Sequence, residues 1–191
     1  MPTLMIIVGS TRPGRVGLPV ARWFEQRARA HGGFDIEFVD LAELNLPLLD
    51  EPNHPRFRQY TNSHTLRWSE LVDGADAFVI VTSEYNHGYP APLKNAIDFL
   101  NQEWRYKPVG FVSYGGVAAG TRAMQQLKTV VAAVKMLAVP EAVNIPFVAQ
   151  FIGDEGELHA NEVMEQAADT MLDELMRVEA ALRTLRVAQT T

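Results

Sequence analysis

The chain has 191 residues, of which 47% are hydrophobic and 21% charged, and its formal net charge is −6. These numbers indicate one globular domain with a full core, and the negative charge argues against broad nucleic-acid binding, which depends on lysine and arginine at phosphates. Because there is no cysteine, disulfides, thiolate metal ligands and thiol catalysis are excluded. No apolar run approaches the roughly 20 residues of a membrane span and the start lacks the charged region of a signal peptide, so we expect a cytoplasmic protein without membrane contact.

Apolar runs alternate with helical patterns through the first half of the chain. Continuous apolar runs predict strands buried on both faces, and apolar residues spaced by three and four predict helices. The elements predicted there are strand 4–8, helix 18–30, strand 34–39, surface loop 45–56, helix 62–73 and strand 75–82.

The alternation continues in the second half. Pro90 or Pro92 suits the first turn of a helix that runs to Leu100, because the N–H that proline lacks has no partner there. Asn161 suits the N-cap of the last helix, whose apolar stripe extends to Leu185. The remaining predictions are strand 108–114, helix 120–138, strand 142–148 and a frayed tail over 187–191.

Five strands alternating with five helices predict an α/β fold, in which one domain over residues 1–186 has helices on both faces of a parallel sheet. A ligand of such a sheet binds beyond the carboxyl ends of the strands, where the strand order reverses. Three unusual loops follow the first, third and fourth strands, so we expect them to meet at that edge.

The first loop, GSTRPGRVG over 9–17, predicts an anion site. It stands directly before a helix, and helical N–H groups, two hydroxyls and two guanidinium groups together suit a phosphate. The loop is longer than the two to six residues usual for a βα turn. It lacks the Gly-Lys-Ser/Thr ending of a P-loop and does not fit the G-x-G-x-x-G dinucleotide turn. A plain turn with two solvated arginines is the alternative.

The second and third loops predict the binding of a flat ring. In SEYNHGYP, over 83–90, tyrosines offer flat faces and Asn86 can bond the rim of a heterocycle, while Glu84 is interpreted as a structural acceptor and His87 as a rim residue. In SYGGVAAG, over 113–120, glycines permit a close backbone approach and the amides favour a carbonyl edge. A phosphate, a flat ring and a carbonyl-rich edge are the parts of FMN.

The chain resembles the NADPH-dependent FMN reductase family, a flavodoxin-like group that includes quinone, chromate and azo-dye reductases. The resemblance covers residues 4 to about 185 and depends on the segments GSTRPGRVG, SEYNHGYPAPLKNAIDFL and SYGGVAAGTRAMQQL. It implies a three-layer α/β/α sandwich with strand order 2-1-3-4-5, FMN as cofactor and NADPH or NADH as co-substrate. It also implies a homodimer or homotetramer with the helix after the second motif at the interface, for which Met124, Leu127 and Trp104 are candidates, although each could equally be core.

The resemblance further implies which residues bind the cofactor. The first motif binds the phosphate, the second lines the isoalloxazine and the third bonds its far edge. The implied residues are Ser10, Thr11, Arg12, Arg15, Val16, Gly17, Ser83, Glu84, Tyr85, Asn86, Ser113, Tyr114, Gly115 and Gly116. Gly17 stands where many relatives carry serine, which removes one phosphate hydroxyl that Arg15 is a candidate to replace. Ser83 stands where many carry proline.

The expected reaction is hydride transfer from NAD(P)H through the flavin to a small-molecule acceptor. Because the flavin carries the chemistry, we expect no catalytic side chain and no metal. A flavodoxin-type electron carrier acting with a protein partner is the alternative, although such carriers are usually more acidic. A phosphatase of similar fold needs a cysteine nucleophile and a response regulator needs an acidic cluster at the strand ends, so both are excluded.

Overall fold

The structure, a computed structural model, describes residues 1–187. Strands and helices alternate along the chain. In order they are β1 (Thr3–Val8), α1 (Gly17–His31), β2 (Asp35–Asp40), α2 (Leu41–Leu44), α3 (Ser63–Asp73), β3 (Ala77–Thr82), α4 (Ala91–Asp98), β4 (Pro108–Tyr114), α5 (Thr121–Ala133), β5 (Leu137–Ile145) and α6 (Glu162–Val187). Short 3₁₀ turns lie at Pro55–Phe57, Gln102–Trp104 and Val148–Phe151.

Five parallel strands form the sheet within these residues, in the order β2-β1-β3-β4-β5. On β1, Val8 stands opposite Asp40 of β2 on one side and opposite Val81 of β3 on the other. The chain thus moves outward from β1 to β2 and then returns past β1 to β3, which makes the crevice between β1 and β3 the switch point of the sheet. The predicted flavodoxin-like strand order is confirmed.

Helices cover both faces of the sheet, because side chains alternate in direction along each strand. Leu4, Ile6 and Val8 share a buried core with α1 and α6. Met5 and Ile7 share the opposite core with α3, α4 and α5. Each fully buried aliphatic side chain contributes about 1.5–3 kcal/mol relative to an exposed one. The first loop starts from β1, which is buried from Leu4 to Val8.

The boundaries of α5 and β5 differ from the prediction. The helix ends at Ala133 and the strand runs over Leu137–Ile145, so part of the predicted 120–138 helix is strand. Lys135 adopts a left-handed φ of 63°, which interrupts the helix. Pro140 is tolerated because β5 is an edge strand of the sheet. The apolar spacing continues across this turn, and the pattern alone could not locate the boundary.

Met124, Leu127 and Trp104 are buried within the single chain. The indole of Trp104 packs edge-on against Trp68, and its Nε1 donates a hydrogen bond to the carbonyl of Ile97 at 3.1 Å. These three residues therefore belong to the core, and the interface alternative is wrong for them.

The last helix begins where the sequence predicted. Asn161 Oδ1 accepts a hydrogen bond from the Met164 N–H at 3.0 Å, which confirms the N-cap. The helix continues to Val187 and so includes the first residue of the predicted tail, while 188–191 lie outside the described residues. The single-domain boundary at 186 stays a prediction. Over the part of the chain that the structure describes, no helix has the length and apolarity needed to cross a membrane.

Candidate functional site

The first loop closes over the carboxyl end of β1. The Gly9 N–H extends the sheet ladder to the carbonyl of Val81 at 2.9 Å, and the Arg15 N–H closes a turn onto the carbonyl of Arg12 at 3.1 Å. The chain then enters α1 at the N-cap residue Val16, whose side chain has no polar atom to bond the first helical N–H groups. A helix start of this kind favours the binding of an anion.

Arg15 is oriented by the neighbouring strand β2. Its guanidinium forms an ion pair with the buried carboxylate of Asp40, whose second oxygen accepts a hydrogen bond from the Ala42 N–H at 2.9 Å and so caps α2. The Nε of Arg15 is buried and has no hydrogen-bond partner among residues 1–187. Arg15 is therefore held in place by Asp40 and keeps one donor for a ligand. Arg12 is exposed at the rim and bonds the carbonyl of Pro13.

The second loop is a tight two-residue hairpin. Tyr85 and Gly88 exchange backbone hydrogen bonds of 2.8 and 2.9 Å, and Asn86 and His87 between them have φ values of 49° and 71°. Positive φ at both central residues is the signature of a type I′ turn, for which asparagine is favoured. The turn fixes the direction of Tyr85 at the end of β3.

Glu84 fixes this hairpin to α5. Its carboxylate accepts hydrogen bonds from the Arg122 Nε at 2.6 Å and from the Arg122 backbone N–H at 3.1 Å. Burial raises the pKa of Glu84, but hydrogen bonds from Arg122 and from the Ala123 N–H, together with the charge of Arg122, lower it overall. His87 also contacts Arg122, with 2.9 Å between Nε2 and Nη1. The interpretation of Glu84 as a structural acceptor is confirmed.

The third loop is held against β5 and the turn that follows it. The Oγ of Ser113 is fully buried, 2.8 Å from both the Ala119 carbonyl and the Asn144 Oδ1. The carbonyl of Gly116 accepts a hydrogen bond from the Phe147 N–H at 3.1 Å, and that of Gly115 accepts one from the Val148 N–H at 3.1 Å. Ser113 therefore stabilises the loop from inside and is not available to a ligand.

The three loops enclose a cleft of about 150 Å³ at the carboxyl edge of the sheet. Its lining residues are Ser10, Arg12, Arg15, Val16, Ser83, Glu84, Tyr85, Tyr114, Gly115 and Val148. All but the last were predicted. The other predicted residues stand outside this lining, and they are Thr11, Gly17, Asn86, Ser113 and Gly116. Hollows of about 340 and 410 Å³ lie elsewhere on the described surface, but neither includes a residue of the three loops.

Hydroxyl groups converge inside the cleft. The Ser10 Oγ lies 3.1 Å from the Tyr85 hydroxyl. Burial raises the pKa of Tyr85, but hydrogen bonds from neighbours, of which that of Ser10 is the largest, lower it overall. Burial raises the pKa of Tyr114 to about 12, so that its phenol stays protonated. The Oγ of Ser83 is buried and, over residues 1–187, has no hydrogen-bond partner. The cleft thus offers hydrogen-bond donors that a ligand with several acceptor oxygens would satisfy.

The outer rim of the cleft is apolar. Val117 is 79% exposed, Phe147 is 50% exposed and Tyr85 is 43% exposed. Phe147 has a left-handed φ of 48°, and the next residue, Val148, enters the cleft lining. Sequence reasoning missed these two because it placed 142–148 in a strand. The signal was Pro146, which follows the true end of β5 at the same edge of the sheet as the other loops.

Several relatives of this chain have names that refer to FMN. A family model described as NADPH-dependent FMN reductase matches residues 2–150. An NAD(P)H-dependent FMN reductase of Schizosaccharomyces pombe is 43% identical over 141 residues, which are 73% of this chain and 70% of that protein. Another from Saccharomyces cerevisiae is 37% identical over 153 residues, or 74% and 80% of the two chains. An FMN-dependent NADPH-azoreductase of Staphylococcus aureus is 30% identical over 141 residues, or 71% and 72%.

Solved structures match over nearly the whole chain. FerB, a flavoenzyme NAD(P)H:(acceptor) oxidoreductase from Paracoccus denitrificans, superposes with a TM-score of 0.75 over 95% of this chain and 98% of its own, at 23% identity. An oxidoreductase from Corynebacterium diphtheriae superposes with a TM-score of 0.72 over the same shares, at 17% identity. At these sequence identities the structural similarity shows the fold alone. The shared fold agrees with the strand order observed here.

Proposed function

Because the chain belongs to the NADPH-dependent FMN reductase family, we propose that the cleft between its three loops binds FMN, with the phosphate at the start of α1 and the isoalloxazine along the outer rim. When bound, FMN would supply the hydride-accepting and electron-transferring chemistry of this family of oxidoreductases. The protein's own residues bind the cofactor, orient it and leave one face of the ring open.

The phosphate end is assigned to the first loop. Uncapped N–H groups at the start of α1 carry a partial positive charge that favours an anion. Ser10 contributes a hydroxyl and Arg15 contributes its unpartnered Nε, while Arg12 lines the same cleft from the rim. Thr11, Val16 and Gly17 complete the loop through their backbone. A hydrogen bond to a charged group contributes about 1.5–3 kcal/mol, so a few such contacts hold the phosphate firmly.

The isoalloxazine is assigned to the rim because of the size of the cleft. About 150 Å³ is well below the roughly 300–1,000 Å³ of a pocket that encloses a whole ligand of this size. Tyr85, Asn86, Gly115 and Gly116 would therefore hold the ring outside the cleft. The exposed side chains of Val117 and Phe147 border this region. Such a position leaves a flat face accessible first to the nicotinamide and then to the acceptor.

No side chain is assigned as an acid, base or nucleophile. Glu84, the acid that lines the cleft, is already bonded to Arg122 and to the start of α5. The acceptors that fit an open ring are small and flat: quinones, free flavins and azo compounds. The azo class is supported by the relatives named FMN-dependent NADPH-azoreductase.

One observation supports the assignment most directly. Loops that are far apart in the sequence meet in a single cleft, in which Arg15 Nε and Ser83 Oγ are both buried without hydrogen-bond partners over residues 1–187. Buried polar groups are rarely left unpaired, and a phosphorylated ligand would satisfy them.

Anaerobic reduction tests the function. The purified chain is loaded with FMN, freed of excess cofactor and titrated with NADPH and then NADH while the visible absorbance of the flavin is followed. We expect bleaching by at least one of them and recovery on adding a quinone, with no protein partner present. Bound flavin that stays yellow with both nucleotides would contradict the proposal, and bleaching without reoxidation by small acceptors would favour an electron carrier.

We also propose a homodimer or homotetramer through the surface beside α4. Asn95 of this helix binds the segment that follows α2, accepting from the Leu49 N–H at 3.0 Å and donating to the Pro47 carbonyl at 2.7 Å. In that segment Leu48 is 84% exposed. Size-exclusion chromatography with light scattering tests the oligomeric state. A monomer at the concentration used in the assays would exclude both the dimer and the tetramer. The cytoplasmic location stays a prediction.

A further inference from the structure

Tyr114 and Gly17 fit together at the start of α1. A Cβ on Gly17 would overlap the hydroxyl oxygen of Tyr114 and stand 3.2 Å from its Cζ. The backbone does not require glycine here, because Gly17 is not among the glycines with positive φ, which are Gly14, Gly32, Gly120 and Gly156. The reason for the missing side chain is therefore space: the phenol of Tyr114, arriving from the end of β4, occupies the volume that a residue at 17 would fill.

The environment of this phenol is that of the anion subsite. Tyr114 is buried, yet it lines the cleft together with Ser10 and Arg15. Its side chain belongs to the core shared with α1, so the ring crosses the floor of the cleft from the third loop to the first. The sequence had assigned Tyr114 to the far edge of the isoalloxazine. The structure instead places its hydroxyl beside Gly17, the first residue of α1.

We propose that the phenol O–H of Tyr114 is a phosphate ligand, and that it supplies from β4 the hydroxyl that position 17 lacks. This inference rests on the proposed function, since it takes FMN to be the ligand of the cleft. The protonated phenol donates one hydrogen bond to a phosphate oxygen, and its high pKa keeps the donor available throughout the physiological range. Gly17 and Tyr114 are then a matched pair: either a hydroxyl at 17 or the phenol fits, but not both.

A double-mutant cycle tests the pairing, using two ligands that differ only in the phosphate. Quenching of flavin fluorescence gives dissociation constants for FMN and for riboflavin, and their ratio isolates the phosphate end. For Tyr114→Phe we expect FMN affinity to fall about tenfold or more while riboflavin affinity changes little, because a hydrogen bond to a charged group is lost. Tyr106→Phe, at the opposite edge of the sheet, is the matched control and should leave the ratio unchanged.

The reciprocal variants give the sharper result. Gly17→Ser alone should lower the melting temperature and weaken FMN binding, because the new side chain collides with the phenol. In the Gly17→Ser/Tyr114→Phe double variant the collision is relieved and the serine hydroxyl takes over, so the preference for FMN over riboflavin should return toward that of the parent.

Two outcomes overturn the inference: a folded Tyr114→Phe variant with the parental ratio, or a Gly17→Ser variant that binds FMN and melts like the parent. Wild-type protein that binds neither flavin contradicts the proposed function itself, and this result is distinct from a changed ratio.

Discussion

The carboxylate of Glu84 accepts one hydrogen bond from the Arg122 guanidinium, at 2.6 Å, and another from the Arg122 backbone N–H, at 3.1 Å. The two residues are separated by 38 positions, and the contact joins the hairpin after β3 to the first turn of α5. Since the third loop leads directly into α5, one carboxylate keeps two of the three cleft loops in register. This is a positioning role, and it explains why an acid stands beside the proposed anion site.

Removing this contact is expected to loosen the cleft. Glu84→Ala should weaken FMN binding about tenfold and lower the free energy of unfolding by about 1–3 kcal/mol, because bonds to a charged group and to a helix start are lost. Flavin fluorescence titration and denaturant unfolding measure the two effects. Glu70→Ala, an exposed acid on α3, is the control and should change neither. Parental FMN affinity in Glu84→Ala would show that the hairpin keeps its place without this contact.

Arg15 is expected to have two separable roles. Arg15→Ala should lower stability strongly, by about 3–5 kcal/mol, because it leaves the buried carboxylate of Asp40 without its partner. It should also weaken FMN binding through the phosphate. In Arg15→Ala/Asp40→Asn the stability should largely recover, since asparagine can still cap α2, while FMN affinity stays low. Recovery of both properties in the double variant would mean that Arg15 acts only through folding.

Tyr85 is expected to act through its ring more than through its hydroxyl. Tyr85→Ala should lower the affinities for FMN and for riboflavin by about tenfold each, because stacking of a flat heterocycle on an aromatic side chain contributes about 1–3 kcal/mol. Tyr85→Phe keeps the ring and should retain riboflavin binding. If Tyr85→Ala binds riboflavin as tightly as the parent, the isoalloxazine does not lie on this side chain.

Lys107 provides a prediction about stability that is independent of the cofactor site. Its ammonium group is buried and donates to the carbonyls of Val72, at 2.8 Å, and Asp73, at 3.1 Å, at the end of α3. Burial lowers the pKa of Lys107 from 10.5 to about 8. The unfolded chain therefore binds more protons between these values, so this group raises stability as the pH increases from about 8 to 10.5, by roughly 3 kcal/mol in total.

Denaturant unfolding of the parent and of Lys107→Met across that pH window isolates the contribution. Other groups titrate in the same range, but they are common to both proteins, so the difference between the two free energies reports Lys107. We expect the free energy of unfolding of the parent to rise relative to that of the variant as the pH increases above 8. Below pH 8 the difference between the two should be constant. A constant difference from pH 7 to 11 would contradict the lowered pKa.

The sequence was sufficient for the fold because the sheet is buried on both faces. Its strands are continuous apolar runs, and local composition marks where they stop, as at Gly9 and Ser10. It was less informative where the helical stripe continued across Lys135 into β5. A left-handed residue ends α5 there, and apolar spacing carries no signal of it.

The cleft was predicted in outline but not in its contacts. Three loops at one edge follow from strand alternation alone. Arg15 pairs with Asp40, and Tyr114 approaches Gly17. Each contact joins parts of the chain that are distant in sequence, and each depends on the direction in which the side chains point. Neither relationship has a local sequence signature. Val148 was missed for the related reason that its position depends on where β5 ends.

A crystal structure of the chain with FMN tests the central claim most directly. We predict the phosphate at the start of α1, within hydrogen-bond distance of Ser10, the Nε of Arg15 and the Tyr114 hydroxyl, and the isoalloxazine along Tyr85, Gly115 and Gly116. FMN bound elsewhere, or bound here with its phosphate turned out toward solvent, would contradict the account.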